Sequence, residues 1–295
     1  MPHPFRFGVV AAQAPSRAAW IASARRMEEL GYATLLMPDR TSVGILSPFP
    51  ALAAAAEATT RLRVGSYVFC NGYRHPVLLA REAATLDLLT EGRFELGLGA
   101  GVGPTEFQQM GIPFGSAGAR VGQLEESLQV IKRLLTEETV QFSGKYYTIT
   151  ALSGFLKSVQ QPRLPILVAG AGERMLKLAA READIVAIGS NRTRQGADPG
   201  DATLEQQIAW IKEAAGTCFT NLELAQTIFD LAITDSSASL SPQAGGPRLP
   251  PRPMSIEQAV DHLLEQRERY GFSYLQVSAG QIENFAPVLA RLAGK

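Results

Sequence analysis

The chain has 295 residues, 46% of them hydrophobic and 19% charged, and its 28 basic and 28 acidic side chains leave it formally neutral. Neutrality removes the electrostatic footprint of a nucleic-acid or membrane-surface binder, and no run approaches the roughly 18 apolar residues of a membrane span. Two cysteines, Cys70 and Cys218, argue against a disulfide framework, and with no signal-peptide pattern at the N-terminus the expected compartment is the cytoplasm.

In chain order, strand-like runs at 5–11, 33–37, 62–69, 93–98, 166–169, 184–188, 225–233 and 274–277 alternate with helical runs at 16–30, 50–60, 77–89, 120–136, 173–182, 203–215, 256–270 and 284–293. The helical runs repeat apolar residues at i, i+3 and i+4. Leu124, Leu128, Ile131 and Leu135 are the clearest case. Eight strand-then-helix units in 295 residues predict an α/β fold, a (β/α)8 TIM barrel spanning 1–295 as one domain. A doubly wound sheet would use about six strands and leave the last two units over. Two segments interrupt the alternation. Residues 140–149, VQFSGKYYTI, predict a short hairpin turning at Ser143-Gly144, inserted after the fourth helix. Residues 235–254, DSSASLSPQAGGPRLPPRPM, have no period and predict a long loop after the seventh strand: a lid, a binding loop or a disordered segment.

Barrel enzymes carry their chemistry at the carboxyl ends of the strands. That rule selects Asp39 after the second strand, Tyr73 and His75 after the third, the loop 100–106 that ends the glycine-rich run 97–103 after the fourth, and Gly170, Ala171 and Gly172 after the fifth. Asp39 could bind a ligand OH or NH; the alternative is a helix cap or an ion pair with Arg40. His75 could donate to a cofactor or act as a general acid, or it could simply start a helix before Pro76. The glycines at 170–172 stand before a helix, where free N–H groups favour a phosphate, although such a turn is often only a turn. No Gly-Lys-Ser/Thr loop, no G-x-G-x-x-G spacing, no metal-ligand spacing and no G-x-S-x-G elbow is found. Without a nucleophile or a metal set, the chemistry is expected to belong to an organic cofactor.

The runs RLRVGSYV, RHP, TLDLLTEGR, LGLGAG, Glu106, GQLEESLQVIKRLL, SGKYYTI, PILVAGAGERMLKLAAREAD and SIEQAVDHL together resemble the bacterial luciferase-like superfamily, over 5–292. The order RHP-TLD-GR-LGLG is specific for that superfamily but separates its members poorly. The resemblance implies a (β/α)8 barrel using FMN or the deazaflavin coenzyme F420, and within the superfamily the chain is most similar to the F420-dependent oxidoreductases. It implies a ring lying against strand 3, over a bulge with a non-prolyl cis peptide between Tyr67 and Val68. It further implies that Asp39 contacts the ring, that the Gly101 loop faces ring and tail, and that Thr105 lies near the ribityl-phosphate tail. Gly170, Ala171 and Gly172 would bind the phosphate, helped by Arg174. The chain departs from the sugar-phosphate dehydrogenases of that branch: Arg40 and Val102 stand where those enzymes carry a His and a Glu.

The resemblance thus implies an oxidoreductase transferring hydride between the deazaflavin and a small organic substrate, with Asp39, Tyr73 and His75 as candidate polar contacts to ring or substrate. One alternative is an FMN-dependent two-component monooxygenase served by a partner reductase. Another is a non-catalytic flavin-binding barrel whose mouth is filled by Phe69, Tyr73 or the 235–254 loop. A homodimer is expected, as relatives often dimerise, with the apolar helix around 50–59 as a candidate contact.

Overall fold

The computed structural model describes residues 3–41, 44–189, 202–235 and 252–295. Eight parallel strands close on themselves: β1 (Arg6–Val10), β2 (Thr34–Met37), β3 (Arg63–Ser66), β4 (Phe94–Gly99), β5 (Ile166–Gly170), β6 (Ile185–Ile188), β7 (Glu223–Thr227) and β8 (Phe272–Ser278). Each pairs with its neighbours in the chain, β3 pairs with β4, and β8 returns to β1 in register Arg6 to Tyr274. This is the (β/α)8 TIM barrel. The intervening helices are α1 (Arg17–Glu29), α2 (Pro48–Glu57), α3 (Pro76–Leu89), α4 (Ala117–Thr136), α5 (Glu173–Glu182), α6 (Leu204–Ala215), α7 (Ile256–Tyr270) and α8 (Ile282–Leu292).

The two-residue period of the strands divides the core in two. Phe7 and Val9 of β1 pack outward against the helix layer, which buries Leu124, Leu128, Ile131 and Leu135 of α4 as their spacing predicts. The opposite faces supply a smaller inner cluster, with Leu36, Leu167, Ile185, Ala187, Ala225 and Tyr274 packed among Val10, Tyr67, Val68 and Ala169. Local chemistry sets the helix starts. Ser255 and Gln258 form a reciprocal capping box at α7, and Thr203 with Gln206 does the same at α6.

The amino-terminal end of the barrel is closed by charge. Arg6 donates to Glu95 at 2.5 Å and to both oxygens of Glu223 at 2.6 and 2.7 Å, and its guanidinium lies 3.6 Å over the Tyr274 ring. Arg63 reaches the same Glu95 oxygen at 2.7 Å, and Tyr274 donates to the other at 3.2 Å. The two arginines hold the fully enclosed Glu95 carboxyl below its ordinary range, against the opposing push of burial.

Several elements differ from their sequence-based expectation. The predicted strand 225–233 is two strands: β7 ends at Thr227, and Leu231–Ile233 pairs in parallel with Arg252–Met254. The break falls at Asp230, whose buried carboxylate pairs with the Arg252 side chain at 2.7 Å while its carbonyl accepts from Arg252 N. The tail of the predicted 235–254 loop is therefore strand, and 236–251 lies outside the described residues. The predicted strand 62–69 is interrupted after Ser66 and resumes as Phe69–Cys70, which pairs with Leu98 and Gly99 of β4. The hairpin is longer than 140–149, with strands Thr139–Ser143 and Thr148–Ser153. Its turn is held by Glu126 of α4, which accepts from the backbone N–H groups of Lys145, Tyr146 and Tyr147. A short helix, Pro104–Gln109, follows β4 where the sequence predicted only loop.

Candidate active site

A cavity of about 740 Å³ opens at the carboxyl ends of β2 to β6, the end of the barrel opposite the ionic plug. The Tyr67–Val68 peptide bond is cis, at the interruption of β3, and both residues line the cavity. Gly99 of β4 lies so close beneath that a Cβ there would stand 2.8 Å from Val68 Cγ2, so only glycine lets the two strands meet. Tyr67, Val68, Gly99, Ala100 and Gly101 thus form an apolar wall of the kind a planar ring needs.

Asp39 is 8% exposed and lines the cavity at the end of β2. Its partner is Arg74 and not Arg40: Arg74 donates to both carboxyl oxygens, at 2.5 and 3.1 Å, and Cys70 N adds a third bond at 3.1 Å. The carboxylate is thereby fixed at the wall: Oδ2 accepts two bonds, and Oδ1, with one, keeps accepting capacity for a ligand donor. Cys70 lies beside it, its thiol pushed up to about 11 by burial, which leaves it uncharged and inert at neutral pH. Arg40 turns instead to Glu106, donating from Nε at 2.9 Å, and the Tyr73 hydroxyl donates to the other oxygen of Glu106 at 3.2 Å. Burial, with Cys70 and Glu106 close by, raises the Tyr73 hydroxyl well above its ordinary value. Tyr73 stands on the wall and Phe69 is buried behind it, so neither fills the mouth.

At the far side of the cavity Gly170, Ala171 and Gly172 lead into α5. No side chain caps this helix, and a Cβ at Gly172 would meet no atom within 4 Å. Open space at an uncapped helix start is where an anion sits, facing free N–H groups and the positive end of the helix dipole. Arg174 lies in the first turn and is steadied by the Gly118 carbonyl at 3.1 Å. Arg120, in the first turn of α4, also lines the cavity. It stacks 3.9 Å over Phe114 and donates to Gly115 O, and its buried Nε has no partner among the described residues. Neither arginine pairs with a carboxylate among the described residues, whereas Asp39, Arg40, Arg74 and Glu106 compensate one another. The third carboxylate of the lining, Glu173, pairs with Lys177 at 2.9 Å, so Arg120 and Arg174 stay without an anion at the cavity, whose wall and glycine cradle fit a ring with an anionic tail.

Of the expected site residues, the structure gathers Asp39, Tyr67, Val68, Tyr73, Gly101, Gly170, Ala171 and Gly172 around this cavity. It does not bring His75 or Thr105 there. His75 is the N-cap of α3: its Nδ1 accepts from Val77 N at 3.3 Å, and its exposed ring meets Tyr147 edge-on at 5.3 Å. The imidazole is committed to the helix start and faces Tyr147 of the hairpin, outside the cavity lining. Thr105 is exposed on the short helix. Arg120 and Arg74 were not singled out by sequence reasoning, and Glu106 only as a mark of the resemblance, with no role. For Arg120 and Arg174 a signal existed: a cation in the first turn opposes the helix dipole unless an anion answers it.

No group of His, Cys, Asp or Glu suited to a metal ion occurs among the described residues, and no helix among them is long and apolar enough to cross a membrane. In sequence, the chain is 36% identical over 149 residues to 4-hydroxyprotoasukamycin monooxygenase of Streptomyces nodosus subsp. asukaensis, covering 49% of this chain and 39% of that protein. It is 33% identical over 132 residues to the F420-dependent glucose-6-phosphate dehydrogenase of Amycolatopsis mediterranei, covering 44% and 39%. The matches to curated relatives span about half of their length or somewhat more at best. In structure, the coenzyme F420 dependent tetrahydromethanopterin reductase from Methanopyrus kandleri superposes with a TM-score of 0.78 over 99% of both chains at 18% identity, a likeness of fold. Residues 3–208, well over half of the chain, match the family model of luciferase-like monooxygenases, and the protein belongs to that family.

Proposed function

We propose that the protein is an F420-dependent oxidoreductase that moves hydride between the deazaflavin and a small organic substrate. The observation that carries this reading over an FMN enzyme is what lies beyond the phosphate cradle. Arg174 and Gly118 border the main cavity and also a second, polar groove of about 540 Å³, lined by Ser116, Gly122, Lys145 and Tyr146 and by Glu125 and Glu126, whose carboxylates are taken by Arg181 and by the hairpin's backbone N–H groups. FMN ends at its phosphate; F420 continues past its phosphate into an anionic tail. A groove that begins at Arg174 and runs along α4 offers the longer cofactor a path that FMN would leave unused.

When bound, the deazaflavin supplies a centre that accepts or gives hydride. The chain's own part is binding and orientation. Tyr67 and Val68 would back the ring, Asp39 would accept a hydrogen bond from the cofactor, and the 170–172 N–H groups with Arg174 would hold the phosphate. Arg120 and Lys145 answer negative charge beyond it. Fluorescence titration tests the reading directly. Binding of F420, with FMN clearly weaker, is expected; FMN binding with none for the deazaflavin overturns it. The similarity to 4-hydroxyprotoasukamycin monooxygenase favours one other reading, an FMN-dependent monooxygenase supplied by a reductase. That reading predicts oxygen uptake with reduced FMN and candidate substrates.

A further inference from the structure

The Arg40–Glu106–Tyr73 cluster is not needed to hold a ring or a phosphate. Its members come from three different strand ends, after β2, β3 and β4, yet all three line the cavity that Tyr67 and Val68 wall. The Tyr73 hydroxyl donates to Glu106, and Glu106 accepts from Arg40, whose side chain is 52% exposed against 14% for Glu106. Both bonds converge on Glu106, the acceptor of the set, with Arg40 on its solvent side. Its spacing is set by packing: the Tyr73 ring lies 5.0 Å from that of Phe107, the residue after Glu106, and a Cβ at Gly72 would stand 2.7 Å from Phe107. The two loops are pressed together, so hydroxyl and carboxylate are held in reach of each other.

Resting on the hydride-transfer reading, we infer that the substrate reacts at a hydroxyl or carbonyl carbon, and that Tyr73 is the catalytic residue that exchanges its proton, with Glu106 and Arg40 as positioning residues behind it. The charged and titratable groups around Tyr73 are Asp39, Arg40, Cys70, Arg74 and Glu106. Asp39 is held by Arg74 and Cys70 N, and the Cys70 thiol is neutral, which leaves Glu106 as the carboxylate bonded to the hydroxyl. Tyr73 stays protonated at neutral pH, the form that can donate to a carbonyl oxygen. In oxidation, the carbinol C–H bond breaks with its electron pair leaving as hydride to the deazaflavin, and a C=O bond forms. The substrate O–H proton passes to Tyr73 Oη as the tyrosine's own proton passes to the Glu106 carboxylate, which is 14% exposed and gives it up directly to water. Reduction runs the same transfers backwards.

The test starts from the full chain loaded with F420, with Tyr73→Phe, Glu106→Gln and Glu106→Asp beside the wild type. Cofactor affinity by fluorescence is expected to be unchanged within about 2-fold in all three, since none holds the cofactor. Failure of the wild type to bind F420 sinks the hydride reading itself and is thereby distinguished from failure of the relay. With a panel of secondary alcohols and, for the reduced cofactor, ketones, Tyr73→Phe is expected to lose roughly 10²–10⁴-fold in kcat, the usual worth of a positioned acid or base. Glu106→Gln should lose less, with its pH profile displaced, and Glu106→Asp should recover part of the loss. Cyclohexanone binding to the oxidised-cofactor complex, which cannot react, gives a readout free of turnover. Loss of the tyrosine hydrogen bond should weaken it roughly 3- to 10-fold. Retention of turnover and ketone affinity in Tyr73→Phe overturns the relay. Absence of turnover with every alcohol and ketone, by a wild type that binds F420, overturns the substrate class.

Discussion

The two ends of the barrel use the same residue types for opposite purposes. At the amino-terminal end, Arg6, Arg63, Glu95 and Glu223 are packed against Tyr274 with each cation matched to a carboxylate, and the interior is filled. At the carboxyl end Asp39–Arg74 and Arg40–Glu106 are likewise matched, but Arg120 and Arg174 have no carboxylate among the described residues, and a cavity stands open between them. A compensated cluster that fills space serves the fold. An uncompensated pair beside empty space waits for an anion. The difference separates stability from binding within a single sheet.

The largest effect expected is at the plug. Glu95→Ala leaves Arg6 and Arg63 without their shared carboxylate in a buried site, which costs about 3–5 kcal/mol when one partner of such a set is removed. Thermal denaturation should show a midpoint lower by roughly 10 °C, with F420 affinity little changed; an unaltered midpoint breaks the comparison. The plug also has a pH signature. Its carboxyl titrates below the ordinary 4.5, so its contribution is present above that value and is lost as the pH falls through the lower, folded-state value. Acid unfolding curves of wild type and Glu95→Gln should therefore differ near neutrality and converge in acid.

At the mouth the expectation is reversed. Arg174→Ala should weaken F420 binding roughly 10- to 100-fold, the worth of a charge-assisted hydrogen bond, while the melting midpoint of the protein without cofactor hardly moves. Lys145→Glu should weaken F420 binding by a few-fold and leave FMN binding as it was, because Lys145 borders the groove and not the main cavity. Equal losses for both cofactors would remove the groove from the argument. The smallest effect belongs to His75→Ala, which should cost about 0.5–1 kcal/mol through the cap of α3 and leave cofactor affinity untouched. A large loss of affinity would return His75 to the site.

Elements with strong local signals were legible. The S-x-x-Q box at Ser255 and the glycines before Glu173 delimit α7 and α5, whose extents coincide with the predicted 256–270 and 173–182. The break in β7 was not legible, because it depends on Asp230 meeting Arg252, a partner that the chain brings back only after 236–251. In the site, residues at strand ends were found because the barrel puts every strand end at one mouth. Tyr67 and Val68 were placed by resemblance, and the structure has them cis and on the wall. His75 was misplaced because a His-Pro helix start looks the same whether the ring turns inward or caps outward.

Hydrophobic period and strand count, properties of short windows, determined by themselves that this chain is a (β/α)8 barrel and which strand ends form its mouth. Which charges cancel was decided by tertiary structure alone. Ion-pair energy depends on separation and burial, and the partners lie far apart in sequence: Asp39 with Arg74, Arg40 with Glu106, Arg6 with Glu223. Only the closed barrel sets those distances, and so only it shows that Arg120 and Arg174 have no carboxylate beside them among the described residues.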